Sequence, residues 1–358
     1  MKGLVCMNTL TYFSPDVLRD DQLRIYRAAG LSDTDAAILT DALIDAETTG
    51  IASHGLIRTW KYVDCILSGG IDPRAEASAV YDSPSWAVLD GHGGLGIVLS
   101  HKAMELCICK ARETGIGIVN MRRSHHFGAA GLYTRMAARR GMFGMAMSNT
   151  GPMMAVTGTN TRRAGNNPFS YCVPAGKYDY VMLDMAMSKY ADGKLQVFRA
   201  KGLPMPEGCA LDRDGRPTTD PNDYFAGGIL LPFGDYKAYG LAVMVDLLSG
   251  ILSGAGVLGE VNAWNRTPGT DGNTGHFFMC IDIAKVCPLE EYIGRVEKMV
   301  EWYISAPAAE GYERVRYPGE PEQEAARETM RRGIGLPETT MQSLRETAEK
   351  LGVQLNAF

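Results

Sequence analysis

The chain has 358 residues, of which 46% are hydrophobic, enough to fill the core of two domains or of one large domain with an appended layer. The net charge of −5 is spread along the chain, and the longest basic runs are arginine pairs, which argues against a nucleic-acid partner. No apolar run reaches the roughly 18 residues that cross a bilayer, so we expect a soluble, cytoplasmic protein that does not bind a membrane.

Two helices are predicted in the first part of the chain. Ser32 is a suitable N-cap for a helix whose apolar residues recur at helical spacing and which ends at Gly50. A second helix is predicted from Ser53 to the glycine pair Gly69-Gly70. We expect a functional site at the junction of these two helices, because the start of the second helix carries unusual chemistry.

The segment Ser53-His54-Gly55-Leu56-Ile57-Arg58 carries this chemistry. With Ser53 as the N-cap, His54 and Arg58 are four residues apart and lie on the same side of the helix. The positive end of the helix dipole and free backbone N–H groups would attract an anion, which then meets the guanidinium and the imidazole together. These features favour a small 2-oxo or 2-hydroxy acid as the ligand. The alternative, from these residues alone, is a capped surface helix with an incidental histidine.

A βαβ unit with a glycine-rich turn follows. The unit consists of a strand over 86–89, a helix over 97–114 and a strand over 116–121. The turn between the first strand and the helix, Gly91-His92-Gly93-Gly94-Leu95-Gly96, fits the G-x-G-x-x-G pattern of dinucleotide-binding folds. The second strand is followed by Arg122-Arg123 instead of the acidic residue that holds a ribose, although either arginine could meet a 2′-phosphate. A turn that only closes onto a helix explains the glycines equally well. A Rossmann-type dehydrogenase using this turn remains one alternative.

A second histidine cluster, Ser124-His125-His126-Phe127-Gly128, comes before a helix predicted over 129–140. We expect Ser124 to cap that helix and His126 to lie in its first turn, where the helix dipole disfavours the protonated imidazole and makes it a readier proton donor. His125 points elsewhere and is interpreted as a structural or surface residue. The remaining histidines show no partner pattern and are interpreted as structural: His92, His101 and His276.

The rest of the chain predicts a sheet with long loops, followed by helices. The middle region is rich in Gly, Pro and Asn and contains short β-runs at 142–148, 169–173, 181–185 and 277–283. Helices are predicted at 292–305, 321–333 and 339–351. We therefore divide the chain into a sheet domain, 121–285, and a region of helices plus the βαβ unit, 1–120 and 286–358.

Seven short motifs follow one another along the chain: Ser53-His54-Gly55 with Arg58, Ser124 to Gly128, Gly165-Asn166-Asn167-Pro168, Leu183-Asp184-Met185-Ala186, Pro217-Thr218-Thr219-Asp220-Pro221, Lys237-Ala238-Tyr239-Gly240-Leu241 and Pro318-Gly319-Glu320. In this order they resemble the malate/L-lactate dehydrogenase family, which includes ureidoglycolate dehydrogenase, sulfolactate dehydrogenase, diketogulonate reductase and the cyclic imino acid reductases. Each motif is short, but seven in order are jointly specific.

The resemblance implies an α/β fold in which a non-Rossmann NAD(P)-binding sheet domain accompanies a helical substrate and dimerisation domain. It implies a homodimeric enzyme that uses NAD or NADP to interconvert a small 2-oxo acid, or a cyclic imino acid, with its 2-hydroxy or amino acid by hydride transfer. His54 and His126 become the candidate acid/base residues, with Ser53 and Arg58 at the substrate. The implied cofactor contacts are Ser148, Asn149, Thr150, Asp184, Met185, Ala186, Tyr236, Lys237, Pro318, Gly319 and Glu320.

Several of these residues have a plainer interpretation as well. Lys237 suits a pyrophosphate or ribose, or is an ordinary exposed lysine in a glycine-rich loop, and Asp184 is alternatively a structural acceptor for loop N–H groups. Two motifs depart from the family pattern, with Asn166 and Ala238 in place of Thr and Gly. No metal is expected, since the histidines lack ligand spacing with Asp or Glu. The alternative from another functional class is a non-catalytic protein that binds an organic acid.

Overall fold

The computed structural model describes residues 10–200, 202–264 and 266–358. The start of the predicted first region, residues 1–9, lies outside the described residues. In the part of the chain that the structure describes, no helix is long and apolar enough to cross a membrane. The α-helices are α1 (Pro15–Ala28), α2 (Asp33–Thr48), α3 (Thr59–Leu67), α4 (Gly96–Thr114), α5 (Ala130–Ala138), α6 (Asp192–Ala200), α7 (Pro221–Phe225), α8 (Tyr236–Val245), α9 (Leu289–Ile304), α10 (Glu320–Arg332) and α11 (Glu338–Lys350).

The strands form three sheets among the described residues. They are β1 (Thr11–Phe13), β2 (Ser78–Asp82), β3 (Trp86–Asp90), β4 (Ile116–Ser124), β5 (Met142–Ser148), β6 (Met154–Ala155), β7 (Arg162–Ala164), β8 (Phe169–Pro174), β9 (Tyr180–Met185), β10 (Ala210–Leu211), β11 (Pro217–Thr218), β12 (Ile229–Leu230), β13 (Thr274–Asp282) and β14 (Ile334–Leu336). The main sheet has the order β2-β3-β4-β13-β5-β8-β9, a smaller one has β11-β10-β12-β6-β7, and β1 pairs with β14. In the main sheet β3 and β4 run parallel, and every other neighbouring pair of described strands is antiparallel.

Both faces of the main sheet are covered, which explains why its central strands read as nearly continuous apolar runs. Successive residues of a strand point to opposite faces. On β13, Phe278 joins the core beneath α4 and α5, whereas Phe277 joins a second core that includes Ala238 of α8. A third core lies among α1, α2, α3 and α11.

Most of the predicted elements are confirmed, because their signals are local. Ser32 caps α2 by accepting a hydrogen bond from the Asp35 N–H at 3.1 Å. The helices predicted near 97–114, 292–305, 321–333 and 339–351 correspond to α4, α9, α10 and α11 within a few residues. The predicted boundary at residue 120 falls inside β4, so the main sheet takes strands from both predicted regions. The division into functional domains itself stays a prediction.

The glycine turn between β3 and α4 does not form a dinucleotide site. A Cβ built on Gly96 would lie 2.1 Å from the carbonyl oxygen of His125, so the backbone there covers the first turn of α4. Arg122 and Arg123 both contact Asp90, with N–O distances of 3.0 and 3.4 Å. Since the main sheet is also mostly antiparallel, the Rossmann alternative is wrong and the non-Rossmann α/β fold is confirmed.

Candidate active site

The segment before α3 forms two 3₁₀ turns, Ala52–His54 and Leu56–Arg58, and α3 begins only at Thr59. The prediction that Ser53 caps a helix is therefore wrong, and the anion site expected at that helix terminus is not formed. Gly55 lies between the two turns with φ −92° and ψ −147°, a conformation that does not continue a helix.

Direct contacts, instead of helical spacing, bring the predicted substrate residues together. Ser53 Oγ lies 2.9 Å from His54 Nδ1, and Arg58 Nε donates a hydrogen bond to the Ser53 carbonyl oxygen at 2.7 Å. No acidic side chain within residues 10–200, 202–264 and 266–358 forms an ion pair with Arg58. The two terminal nitrogens of its guanidinium are thus available for a carboxylate.

Glu47, at the end of α2, supports this segment and was not singled out from the sequence. Its Oε1 accepts a hydrogen bond from the Leu56 N–H at 2.7 Å. A Cβ on Gly55 would lie 2.2 Å from the same oxygen, so the glycine permits the close approach. Burial raises the pKa of Glu47 to about 7, and the hydrogen bond from Leu56 only partly offsets it. An acidic residue six positions before Ser53 was the available signal.

His126 lies in the loop between β4 and α5, and its ring is stacked with that of His54 at a centroid distance of 5.7 Å. Ser124 ends β4 and α5 begins at Ala130, so the prediction that Ser124 caps the helix with His126 in its first turn is wrong. The hydroxyl of Tyr62 lies 2.6 Å from His126 Nδ1. The structure therefore brings together the two candidate acid/base residues from segments far apart in the chain.

Trp264 completes this cluster and was missed in the sequence. Its indole stacks on His126 at 4.4 Å and on Tyr62 at 5.3 Å between centroids, and the guanidinium of Arg58 lies 5.9 Å from the indole centroid. An aromatic residue in a loop of small and polar residues was the only signal, and it is a weak one. Tyr62, one helical turn after Arg58, carried a similarly weak signal.

The two histidines of the cluster are unprotonated near neutral pH. Burial, and then the charge of Arg58, lower the pKa of His54 to about 4. Burial lowers the pKa of His126 well below its ordinary value, and His54 and Arg58 lower it further. In each ring Nδ1 contacts a hydroxyl, and Nε2 has no hydrogen-bond partner among the described residues. The site thus combines one unpaired cation with two neutral imidazoles.

Two further histidines near this cluster, His125 and His276, are buried in the protein. His125 is fully buried, so it is not a surface residue, and neither ring nitrogen has a partner in the described part of the chain. His276, for which the sequence showed no partners, contacts Ser148 Oγ through Nδ1 at 2.9 Å and Ser124 Oγ through Nε2 at 2.8 Å. It therefore links β13 to the ends of β4 and β5, beside the loop that carries His126.

The first group of predicted cofactor residues is held mainly by protein contacts. Ser148 is buried against His276, and the amide of Asn149 donates to the Gly256 carbonyl at 2.7 Å and accepts from the Gly275 N–H at 2.9 Å. Thr150 is partly exposed. Cofactor contact by these residues stays a prediction, with Thr150 the most accessible side chain of the three.

The second group lies at the end of β9. The Gly131 N–H, in the first turn of α5, donates to the Asp184 carboxylate at 2.7 Å, and burial raises the pKa of Asp184 to about 6. The structural interpretation of Asp184 as an acceptor of a backbone N–H thus describes its observed contact. Met185 and Ala186, the next residues, are partly exposed.

The third group, Pro318-Gly319-Glu320, lies beside β9, because the Met182 N–H donates to the Pro318 carbonyl at 3.0 Å. Glu320 opens α10 and forms an ion pair with Arg314 at 2.9 Å. The turn therefore adjoins the strand that carries Asp184.

The fourth group, Tyr236 and Lys237, is exposed at the start of α8, not in a glycine-rich loop. The preceding segment contacts the residue that follows the second group, since the Phe233 N–H donates to the Met187 carbonyl at 3.2 Å. Nearby, Ser188 Oγ is buried without a hydrogen-bond partner among the described residues. The third group and the segment before the fourth thus each contact the chain at or just beyond β9, which carries the second group.

Comparison with known proteins decides the family. The family model described as malate/L-lactate dehydrogenase matches residues 13–345. The chain belongs to this family. It is 39% identical over 343 residues to malate dehydrogenase of Pyrococcus horikoshii, covering 93% of each chain, and it superimposes on the structure of that protein with a TM-score of 0.89 over 99% of each chain, at 36% identity.

Two further relatives have other names. The chain is 35% identical over 336 residues to L-sulfolactate dehydrogenase of Methanocaldococcus jannaschii, covering 93% of this chain and 95% of that one. It is 31% identical over 326 residues to the Δ1-pyrroline-2-carboxylate/Δ1-piperideine-2-carboxylate reductase of Pseudomonas putida, covering 90% and 92%. The protein is therefore an oxidoreductase of this family, which decides against the non-catalytic alternative.

Proposed function

We propose that the enzyme interconverts a small 2-oxo acid and the corresponding 2-hydroxy acid with a nicotinamide cofactor. One observation carries the proposal: the guanidinium of Arg58, without an acidic partner among the described residues, lies beside two neutral imidazoles, His54 and His126, whose Nε2 atoms have no partner there either. This combination provides a carboxylate receptor and a proton donor within one cluster.

Arg58 binds the substrate carboxylate in this proposal. Its Nε is held by the Ser53 carbonyl, which leaves the terminal nitrogens for a two-pronged contact. Because the charge of Arg58 is one cause of the low pKa of His54, neutralising it with a carboxylate favours protonation of His54. Burial is the larger cause of the low pKa, so binding of the anionic substrate removes only the contribution of Arg58 and moves the pKa of His54 upward.

His54 is the proposed acid/base. When bound, a nicotinamide cofactor supplies or accepts the hydride at the substrate carbon. In the reductive direction protonated His54 gives its Nε2 proton to the substrate oxygen, so the ketone becomes an alcohol and the imidazole becomes neutral. In the oxidative direction the neutral ring takes that proton back. His126 either orders the substrate or shares the donor role.

The residues at β9 and the start of α8 fit a nicotinamide dinucleotide. Ser188 has a buried hydroxyl without a hydrogen-bond partner in the described part of the chain, Asp184 supplies a carboxylate, and exposed Lys237 supplies a positive charge for phosphate. We propose that these segments hold the cofactor, with Thr150 and the turn at Gly319 completing the site. Whether NAD or NADP binds better is decided by titrating both.

The central experiment replaces His54 by Ala. We expect turnover to fall by about two to four orders of magnitude, the usual effect of losing a general acid, while quenching of protein fluorescence by NADH or NADPH is nearly unchanged. His101→Ala, on α4, is the matched control and keeps wild-type turnover. A His54→Ala enzyme with full turnover removes this residue from the mechanism.

Arg58→Lys tests the carboxylate contact separately. A lysine keeps the charge but cannot make the two-pronged contact, so KM rises for several 2-oxo acids while kcat changes less. An unchanged KM across those acids contradicts the assigned role.

A cyclic imino acid is the second candidate substrate, because the Pseudomonas putida reductase is related over most of its length. Its carboxylate lies next to a C=N bond, so the same cluster would deliver the proton to nitrogen. Assays of pyruvate, oxaloacetate, ureidoglycolate, sulfolactate, diketogulonate and piperideine-2-carboxylate with both cofactors decide between the substrates.

We also propose that the enzyme is a homodimer. The family resemblance suggests a homodimer. An exposed apolar stripe supports it, which runs along α8 and the π-helical turn that follows it, Asp246–Ile251. The stripe consists of Tyr236, Val243, Leu247 and Ile251, each 39–67% exposed. Sedimentation of Leu247→Glu against the wild type tests the interface. A wild-type monomer at micromolar concentration contradicts the proposal.

A further inference from the structure

Tyr62 and Trp264 both contact His126 within the candidate active site. Tyr62 is fully buried in α3, and its hydroxyl has one described hydrogen-bond partner, His126 Nδ1 at 2.6 Å. Trp264 lies in a loop some two hundred residues away in sequence, and the Cys65 thiol contacts its carbonyl at 3.7 Å. The indole lies nearly parallel to the His126 ring, at an interplanar angle of 20°.

The direction of the Tyr62–His126 hydrogen bond follows from burial. Burial raises the pKa of Tyr62 well above its ordinary value, so the phenol keeps its hydrogen, and His126 is unprotonated. If His126 Nδ1 donated instead, the buried phenol O–H would have no described acceptor, which costs about 1–3 kcal/mol. The O–H of Tyr62 therefore donates to Nδ1, and the ring hydrogen of His126 resides on Nε2.

We propose that Tyr62 and Trp264 are positioning residues for His126. The hydroxyl of Tyr62 keeps the hydrogen of the His126 ring on Nε2, and the stacked indole of Trp264 fixes the plane of that ring. The inference rests on the proposed function, since it assumes that His126 faces the substrate.

The two histidines then have different tasks. A neutral imidazole with its hydrogen on Nε2 offers a hydrogen bond to the substrate oxygen, but it has no unprotonated Nε2 with which to take a proton from that oxygen. His54 is therefore the residue that transfers the proton. His126 orients the substrate oxygen toward His54. The arrangement parallels the general use of a second group to fix a histidine's tautomer.

The first test is Tyr62→Phe, which removes the hydroxyl and keeps the ring that stacks with Trp264. In enzyme labelled with ¹⁵N-histidine, the ring signals of wild-type His126, assigned with His126→Asn, should show a neutral ring with hydrogen on Nε2. In Tyr62→Phe they should move toward a mixture of the two neutral tautomers. We expect kcat to fall by about two- to tenfold, the effect of one hydrogen bond, with KM within about twofold of wild type.

Tyr26→Phe is the matched control. Tyr26 is also fully buried, and its hydroxyl donates to Thr59 Oγ1 at 3.1 Å, so its loss has a comparable cost in stability without touching His126. It should leave the His126 signals and kcat unchanged. Unchanged His126 signals in Tyr62→Phe, or a wild-type His126 ring with hydrogen on Nδ1, overturn the role of Tyr62.

Trp264 is tested by a pair of variants. Trp264→Phe keeps an aromatic face against His126 and should retain kcat within about threefold, whereas Trp264→Leu should lose more of it. Trp302→Phe, at an exposed tryptophan of α9, controls for tryptophan removal. Equal kcat in wild type and both Trp264 variants overturns the role of Trp264. Full turnover of His126→Asn, with the tautomer shift of Tyr62→Phe intact, would instead refute the proposed part of His126 in catalysis.

Discussion

The side chain of Glu47 holds the candidate catalytic segment by a hydrogen bond to Leu56. Replacing Glu47 by Gln removes the ionisable carboxyl group and keeps the shape of the side chain. The glutamine keeps a carbonyl oxygen that accepts the hydrogen bond from the Leu56 N–H, which is 2.7 Å long in the structure. The segment is therefore expected to stay in place, and the variant isolates the effect of the charge of Glu47.

The magnitude follows from the two pKa values of Glu47. Burial raises its pKa in the folded protein to about 7, against an ordinary value of 4.5. Between these values the folded protein holds a proton that the unfolded chain has released, so stability falls as the pH rises from 4.5 through 7. The complete loss is about 3 kcal/mol, and about 2 kcal/mol of it falls between pH 5.5 and pH 8.5.

The assay is urea unfolding of wild type and Glu47→Gln at both pH values. The free energy of unfolding of the variant, relative to wild type, should increase by about 2 kcal/mol from the lower to the higher pH. Glu349→Gln, at an exposed position of α11, controls for the removal of one negative charge. A Glu47→Gln variant whose stability follows the same pH dependence as wild type would refute the argument.

Three further outcomes are expected from other parts of the fold. Asp45→Asn leaves the guanidinium of Arg135, only 4% exposed, without its carboxylate, and urea unfolding should show a loss of about 3 kcal/mol. Gly96→Ala places a Cβ against backbone and should cost about 1–3 kcal/mol, whereas Gly259→Ala, which meets nothing within 4 Å, should leave the melting temperature nearly unchanged. Burial lowers the pKa of His276 to about 3, so the unfolded chain takes up a proton first as the pH falls below 6.5 and stability declines; His276→Gln should reduce that slope between pH 6.5 and 5.

The sequence located most of the helices and strands because their signals are local. Apolar spacing and caps such as Ser32 placed α2 and α4, and the run at 142–148 corresponds to β5 residue for residue. The same reasoning failed at Ser53 and Ser124, two good capping residues that do not cap α3 and α5. Capping propensity applies only where a helix follows at once, and here a glycine-interrupted turn or a loop follows.

The candidate site was predictable only in part. His54, Arg58 and His126 stand in short motifs that resemble a family, so the sequence alone indicated them. Glu47 and Trp264 belong to no such motif. Their importance comes from the contacts they make with Leu56 and with the His126 ring.

By itself, then, the sequence determined the α/β class, the order of the elements and the chemical types at the site, since these depend on spacing and on residue identity. The tertiary structure decided how the site is held. Tyr62 meets His126 across 64 positions of sequence, and the stack of His126 with Trp264 requires β4 and a distant loop to come together. Such contacts depend on the packing of the whole chain, and no local pattern encodes them.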